Sequence, residues 1–301
     1  MGVTTGRSTA LRMWPQWMAA LGRPEVQIQG VDFRLHDEPA RYGRLVQHVK
    51  DDPLALGALV TTHKIDLLDA ARDLFDELSP HARLCGEVSS IAKRGGRLVG
   101  HATDPEAGGI SLDAILGEGY FGRTGGEVLC FGAGGSATAL ALHLMCKPHA
   151  ADQPRRCTVV NRSQARLDRL AAMIAQMETD IDFRLICNAD PAANDRLMAA
   201  LPDGSLVVNA TGMGKDIPGS PVTGDGLFPH RGVAWELNYR GELDFLQQAR
   251  SQQASRGLTV EDGWHYFLLG WTQVIQHVLD IEIDEVTCGR LAEIAATLRG
   301  N

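Results

Sequence analysis

The sequence has no C-x-x-C pair among its six cysteines, and no H-x-x-x-H or H-E-x-x-H spacing among its ten histidines. A zinc centre or a dithiol redox motif therefore finds no support, and no metal is expected. The cysteines are scattered, several in apolar strand-like runs, which reads as buried thiols in a reducing compartment. Residues 1–12 carry no apolar signal core, and no apolar stretch reaches membrane-spanning length. The expectation is a cytoplasmic protein with no membrane partner. Positive charge is in deficit: 29 Lys and Arg face 37 Asp and Glu, a net charge of -8, which argues against a general nucleic-acid surface. A local basic patch for one phosphate stays open. Internal repeats, low-complexity tracts and long charge runs are also missing.

What is present suffices for one or two ordinary globular domains: 301 residues, 44% of them hydrophobic. The chain is organised around residues 127–138. The apolar run Val128 to Phe131 ends in Gly132-Ala133-Gly134-Gly135-Ser136-Ala137, and apolar residues at helical spacing follow (Ala137, Leu140, Ala141, Leu144, Met145). Strand, glycine turn and helix in G-x-G-x-x-A form point to a dinucleotide-binding unit. Gly132 permits the tight turn, Gly134 lets backbone approach a pyrophosphate, and the helix N-terminus offers N–H groups to it.

The first hundred residues read as alternating helices and strands. A capped helix spans 7–21, with Leu11, Trp14, Trp17, Met18 and Leu21 as its apolar stripe. Val26 to Phe33 alternates like a strand, 40–49 is helical, and Leu56 to Thr61 is a buried strand. A helix runs from Ile65 to Leu78; Val88 to Ala92 and Arg97 to His101 form a hairpin about Gly95-Gly96. Lys64 and Asp104 thus fall at the carboxyl ends of two strands, where ligands of α/β sheets sit. Taken alone, Lys64 reads as a solvated lysine and Asp104 as a helix cap before Pro105. Together they suit oxidation of a secondary alcohol, in which a lysine takes the hydroxyl proton while a carboxylate holds the ammonium and accepts a substrate hydroxyl.

Farther on, Arg156 to Val160 is a strand without the terminal Asp or Glu that binds a ribose 2′-hydroxyl. Asp152 precedes that strand in a loop and is in the wrong place. The strand ends in Asn161-Arg162-Ser163, with Arg166 a turn later; two guanidinium groups and a hydroxyl suit a 2′-phosphate, so NADP is expected over NAD. A helix follows over 163–177, with Leu167, Leu170, Ala171 and Ile174 inward. Leu206 to Ala210 is a strand, and the loop Thr211-Gly212-Met213-Gly214 is expected beside the nicotinamide, with Met213 a candidate to pack on the ring. Trp264 to Leu279 is apolar nearly all round, and Asp284 caps a last helix that ends at Gly300.

The order and spacing of several pieces resemble the shikimate dehydrogenase family over nearly the whole chain. The pieces are Val60-Thr61-Thr62-His63-Lys64, Gly86-Glu87-Val88-Ser89-Ser90-Ile91, Gly96 to Gly100, Thr103-Asp104, Gly132 to Gly135, Asn161-Arg162-Ser163, Asn209-Ala210-Thr211 and Glu236-Leu237-Asn238-Tyr239. The resemblance implies an N-terminal α/β substrate domain (1–112 with 264–301), a Rossmann-type NADP-binding domain (113–263), and C-terminal helices that return to the first domain. It makes Lys64 and Asp104 the catalytic pair. Ser8, Thr61, Ser89, Tyr239 and Gln273 become substrate contacts. Gly132, Ala133, Gly134, Gly135, Ser136, Asn161, Arg162, Ser163, Arg166, Thr211 and Met213 become cofactor contacts. It also implies a place in aromatic amino acid biosynthesis, with a small-molecule substrate and a homodimer as one assembly left open.

The chain departs from the family at substrate-contact positions. Ala10 stands at the second serine of a Ser-x-Ser. Val-Asn-Thr becomes Val88-Ser89-Ser90, Asn-Thr-Asp becomes Ala102-Thr103-Asp104, and Gly270 stands where a glutamine is usual. The strand end before Lys64 lacks the usual proline and is one residue shorter. A site that hydrogen-bonds ring hydroxyls and a carboxylate loses discrimination steeply when partners vanish. NADP-linked hydride chemistry on a cyclic hydroxy acid, shikimate/3-dehydroshikimate or an analogue, is the expectation. A non-catalytic NADP(H)-binding regulator is the alternative, and a related enzyme of folate or tRNA-linked metabolism a third reading.

Overall fold

The computed structural model describes residues 1–215 and 217–299, so the expected helix end at Gly300 lies outside the described residues. The chain divides into two compact units, Met1–Thr103 with Gly270–Asn301, and Asp104–Leu269. Among the described residues no helix is long and apolar enough to cross a membrane.

The first unit opens with α1 (Thr9–Ala20), whose buried residues Ala10, Met13, Trp14, Trp17 and Met18 fall on one helical face. After α2 (Pro39–Asp51) come β1 (Gly57–Leu59), α3 (Lys64–Ala71), β2 (Glu77–Leu78), α4 (Pro80–Cys85), β3 (Ser90–Arg94) and β4 (Arg97–His101). The sheet order is β1-β3-β4-β2, with β2 parallel to β4 and the other pairs antiparallel. Gly95 and Gly96, at φ 54° and 81°, make the hairpin turn between β3 and β4. The core gathers Phe33, Tyr42, Val46, Val60, Leu67, Leu68, Ile91 and Leu98.

Two local expectations fail in this unit. Val26 to Phe33 forms no strand. Among the described residues it makes one bridge, Gly2 to Asp32, with Gly2 N–H donating to the Val31 carbonyl and Phe33 N–H to the Gly2 carbonyl. The helix expected to run to Leu78 stops at Ala71. Phe75 turns extended, Asp76 accepts from the Leu98 N–H at 2.8 Å, and Glu77–Leu78 pairs with Val99–Gly100. In α4, Ser79 caps the helix by accepting from Ala82 N–H at 3.1 Å and Pro80 occupies its first turn.

The second unit comprises α5 (Asp104–Leu116), α6 (Tyr120–Thr124), β5 (Val128–Phe131), α7 (Gly135–Met145), β6 (Arg156–Asn161), α8 (Gln164–Ile174), β7 (Asp182–Cys187), α9 (Pro191–Ala199), β8 (Leu206–Asn209), β9 (Val233–Glu236), α10 (Asp244–Arg256) and β10 (Thr259–Glu261). All six strands are parallel, in the order β10-β9-β8-β5-β6-β7. Chain order runs outward from β5 to β7, then returns to β8 on the other side of β5. This is the doubly wound arrangement, with its switch point between β5 and β8. In α8 the buried stripe is Leu167, Leu170 and Met173; Ala171 is exposed, because the helix is rotated by part of a turn from the expected register.

The chain then re-enters the first unit along α11 (Trp264–Leu279) and ends in α12 (Glu285–Arg299). Trp17 Nε1 donates to the Leu291 carbonyl at 2.9 Å, and Trp271 meets Trp14 and Trp17 edge-on at 6.1 and 6.4 Å. α5 is held within the second unit: its Asp113 binds His143 of α7 at 2.9 Å and pairs with Lys147.

Candidate functional site

In the second unit the site is built at the switch point. β5 ends at Phe131, and Gly132 turns the chain at φ +110°. A Cβ there would lie 2.5 Å from the Ala210 carbonyl oxygen, so only glycine fits between the ends of β5 and β8. At Gly134 an added Cβ would meet nothing within 4 Å: open space lies over the turn where α7 begins. Ala133 and Ala137 are buried, while Gly134, Gly135 and Ser136 are half-buried. A glycine turn with open space above it and a helix N-terminus behind it fits a dinucleotide pyrophosphate. Tyr266, which the sequence reading did not single out, donates its hydroxyl to Ser136 Oγ at 3.1 Å. Its only sequence signal is its place in the apolar stretch after Asp262-Gly263.

At the end of β6, Asn161 Nδ2 donates to the Ser163 carbonyl at 3.2 Å and shapes the turn into α8. Arg162 and Arg166 are exposed and Ser163 is half-buried. No carboxylate ends this strand. Asp152 instead accepts from the Gly119 N–H, a structural duty away from the strand end. These residues fit a 2′-phosphate better than a bare ribose.

Beyond β8 the loop is tied to β9. Thr211 gives both its N–H (3.1 Å) and its hydroxyl (2.6 Å) to Asn209 Oδ1, and Met213 N–H donates to Thr211 Oγ1 at 3.2 Å. Glu236, fully buried, accepts from Asn209 Nδ2 at 2.6 Å and from the Asn238 N–H and Nδ2 at 2.8 and 2.6 Å. Burial pushes its carboxyl up to about 7, against these hydrogen bonds and the charge of Lys215. Tyr239 lies half-buried in an aromatic group, 4.1 Å from the Phe267 ring centroid and 5.7 Å from that of Trp264. Asp104, the first residue of α5, is 7% exposed.

In the first unit, Lys64 opens α3 and is half-buried. The preceding His63 is buried and hydrogen-bonded through Nδ1 to Tyr42 Oη at 3.1 Å; burial holds its imidazole below the ordinary histidine range. The Lys64 carbonyl accepts from Val88 N–H at 3.2 Å, Val60 N–H donates to the Ser89 carbonyl at 2.8 Å, and Ser89 N–H donates to the His101 carbonyl at 2.9 Å. Three chain segments, ending at Lys64, Ser89 and Thr103, are thus knitted together. The Ser89 hydroxyl is spent inside this knot: it accepts from Thr103 N–H at 2.7 Å and pairs with Thr103 Oγ1 at 2.9 Å. Thr61 is exposed and donates its hydroxyl to the Met1 carbonyl at 3.1 Å. Ser8 stands half-buried at the position before α1 without a side-chain cap bond, and Gln273 accepts from Gln276 Nε2 at 3.1 Å.

No protein-family model matches the chain. The shikimate dehydrogenase (NADP(+)) of Symbiobacterium thermophilum is 37% identical over 199 residues, which span 65% of this chain and 63% of that relative, less than two thirds of its length. The shikimate dehydrogenase (NADP(+)) of Methylobacterium radiotolerans is 33% identical over 251 residues, 82% of this chain and 78% of the relative. The chain belongs to the shikimate dehydrogenase family. Two solved structures share its fold at 21% identity. Shikimate 5-dehydrogenase from Listeria monocytogenes, in complex with shikimate and NAD, has a TM-score of 0.70 over 97% of this chain and 93% of that one. Quinate dehydrogenase from Corynebacterium glutamicum, in complex with NAD, has a TM-score of 0.70 over 98% and 96%.

Against the shikimate dehydrogenase pattern, the two alanine replacements sit in packed interior. Ala10 is 0% exposed on the inner face of α1, and Ala102 is 1% exposed within the first core. At Gly270 an added Cβ would meet nothing within 4 Å.

Proposed function

We propose that this member of the shikimate dehydrogenase family is an NADP-dependent oxidoreductase. It interconverts a secondary alcohol and a ketone on a cyclic hydroxy acid, shikimate/3-dehydroshikimate or an analogue. The observation that carries the proposal is the glycine turn at the switch point of a parallel sheet, in a chain whose relatives are named shikimate dehydrogenase (NADP(+)). NADP, when bound, accepts the hydride in the oxidising direction and returns it in the reverse. Gly132 to Ser136 hold its pyrophosphate, and Asn161, Arg162, Ser163 and Arg166 hold the 2′-phosphate. Thr211 and Met213 flank its nicotinamide. The two solved neighbours named above hold NAD and other solved neighbours are in complex with NADP+ or NADP(H), so the choice of NADP rests on the strand end without an acid and on the names of the relatives.

Lys64 takes the hydroxyl proton as hydride leaves the carbon, and gives it back in reduction. Asp104 accepts a substrate hydroxyl and holds the ammonium. The domain of residues 1–112 and 264–301 supplies substrate contacts from Ser8, Thr61 and Gln273, and Tyr239 adds one from residues 113–263, the nucleotide domain. The engaged Ser89 hydroxyl and the alanines at 10 and 102 leave fewer polar partners than the family pattern, which favours an analogue with fewer ring substituents to satisfy.

Initial rates with NADP and NAD, on a panel of shikimate, quinate and amino-substituted analogues, test this reading. The expected result is turnover of a panel member with NADP at least about 100-fold more efficient than with NAD. Lys64→Ala should lower kcat by about 1,000-fold while NADPH affinity stays within about twofold. Full activity of that variant would remove Lys64 from the chemistry.

A further inference from the structure

We propose that Glu236 is a positioning residue for the nicotinamide end of the cofactor, acting through Asn209 and Asn238 on the Thr211–Met213 loop; the inference rests on the nucleotide reading above. Three hydrogen-bond donors converge on this carboxylate: Asn209 Nδ2 on Oε2, and the Asn238 N–H and Nδ2 on Oε1. The two asparagines then divide the loop between them. Asn209 Oδ1 accepts from the backbone and hydroxyl of Thr211, and Asn238 Nδ2, with one hydrogen on Glu236, shares the other between the carbonyls of Thr211 and Met213 at 3.1 and 3.2 Å. The backbone of the loop is therefore held on its donor side from β8 and on its acceptor side from β9. Both holds are oriented by one side chain.

Ionised, as it is above the raised value of about 7, this side chain accepts only and can serve all three donors. An amide of the same shape would turn an NH2 toward at least one of them. An apolar residue would leave two asparagine side chains free to rotate. Glu236 is 0% exposed. Burying such a group is costly unless it is fully hydrogen-bonded, so a mere space-filler at the end of β9 would be apolar, as Val233, Ala234 and Trp235 before it are. The loop sits at the switch point, beside the glycine turn: Ala210 N–H donates to the Phe131 carbonyl at 2.8 Å, and Gly132 packs on the Ala210 carbonyl. A loop placed there and fixed at both faces presents the same surface to every nucleotide that enters, while the adenosine half is held elsewhere, by the turn and the β6 end.

That separation supplies the test. Two probes are titrated into the wild type, Glu236→Gln and Glu236→Asp. NADPH, followed by its own fluorescence, carries the nicotinamide; adenosine 2′,5′-bisphosphate, followed by calorimetry, carries only the adenosine half. Glu236→Gln should bind NADPH about 10-fold more weakly and the bisphosphate within about twofold of wild type. Glu236→Asp keeps the acceptors one methylene farther back and should recover part of the loss; it carries the same comparison if the glutamine variant does not fold. NADPH affinity unchanged in both variants, or both probes weakened alike, overturns the positioning role while leaving the nucleotide reading intact. A wild type that binds neither probe overturns that reading and this inference with it.

Discussion

Gly132 and Gly134 lie two residues apart, yet the structure needs them for opposite reasons. At Gly132 the backbone is at φ +110° and an added Cβ would press on the Ala210 carbonyl at 2.5 Å, so a side chain is excluded by the fold. At Gly134, φ is -93° and nothing lies within 4 Å of an added Cβ, so a side chain is excluded, on the proposed function, only by the ligand. Gly132→Ala should therefore destabilise the protein by about 3 kcal/mol, visible as a lowered midpoint in chemical denaturation. Gly134→Ala should leave that midpoint within about 0.5 kcal/mol and weaken NADPH binding by about 10-fold or more. A Gly134→Ala protein with unimpaired NADPH affinity would move the pyrophosphate away from this turn.

The same division between fold and ligand runs through the elements. β6 ends in Asn161, and the turn into α8 is shaped by its side chain, while the exposed Arg162 and Arg166 make no contribution to the core. Removing both guanidinium groups (Arg162→Ala with Arg166→Ala) should leave stability near wild type and lower the preference for NADP over NAD by about 100-fold, read from kcat/KM with each nucleotide. Three strands of the second unit, β5, β6 and β8, were legible in the sequence to within a residue. β5 and β8 are buried along their whole length and so appear as apolar runs between turn residues. The first unit was harder to read because β1 and β2 have three and two residues and show no period. Glu236 was legible only as a letter in a family motif. Its partner Asn209 lies 27 residues away, and nothing in either segment states that the carboxylate is buried or that it governs the loop. Ser89 had a similar fate: the sequence offers a hydroxyl, and the structure engages it with Thr103.

At the scale of the whole molecule, the two units carry buried titratable groups with opposite pH responses. Glu236, in the second unit, has its carboxyl pushed up by burial to about 7 from an ordinary 4.5, with Lys215 the charge that pulls it back. The folded form then binds more protons than the unfolded chain between those values. Its contribution is fully present below pH 4.5 and is lost as pH rises through 7, a swing on the order of 3 kcal/mol. His63, in the first unit, is held below the ordinary histidine value by burial, against the attraction of Asp66 and Asp37. There the unfolded chain binds more protons, so stability is present above pH 6.5 and falls as the solution is acidified. Acidification from pH 8 to 5.5 should therefore strengthen β8 and β9 relative to β3 and β4. Hydrogen exchange of peptides from the four strands, corrected for the intrinsic rate at each pH, measures that difference directly. Glu236→Gln should flatten the response of β8 and β9 and leave that of β3 and β4 unchanged, since the two groups belong to separate cores. A wild-type protein in which both strand pairs shift together, in either direction, would mean that the units unfold as one body and that neither group sets the local balance.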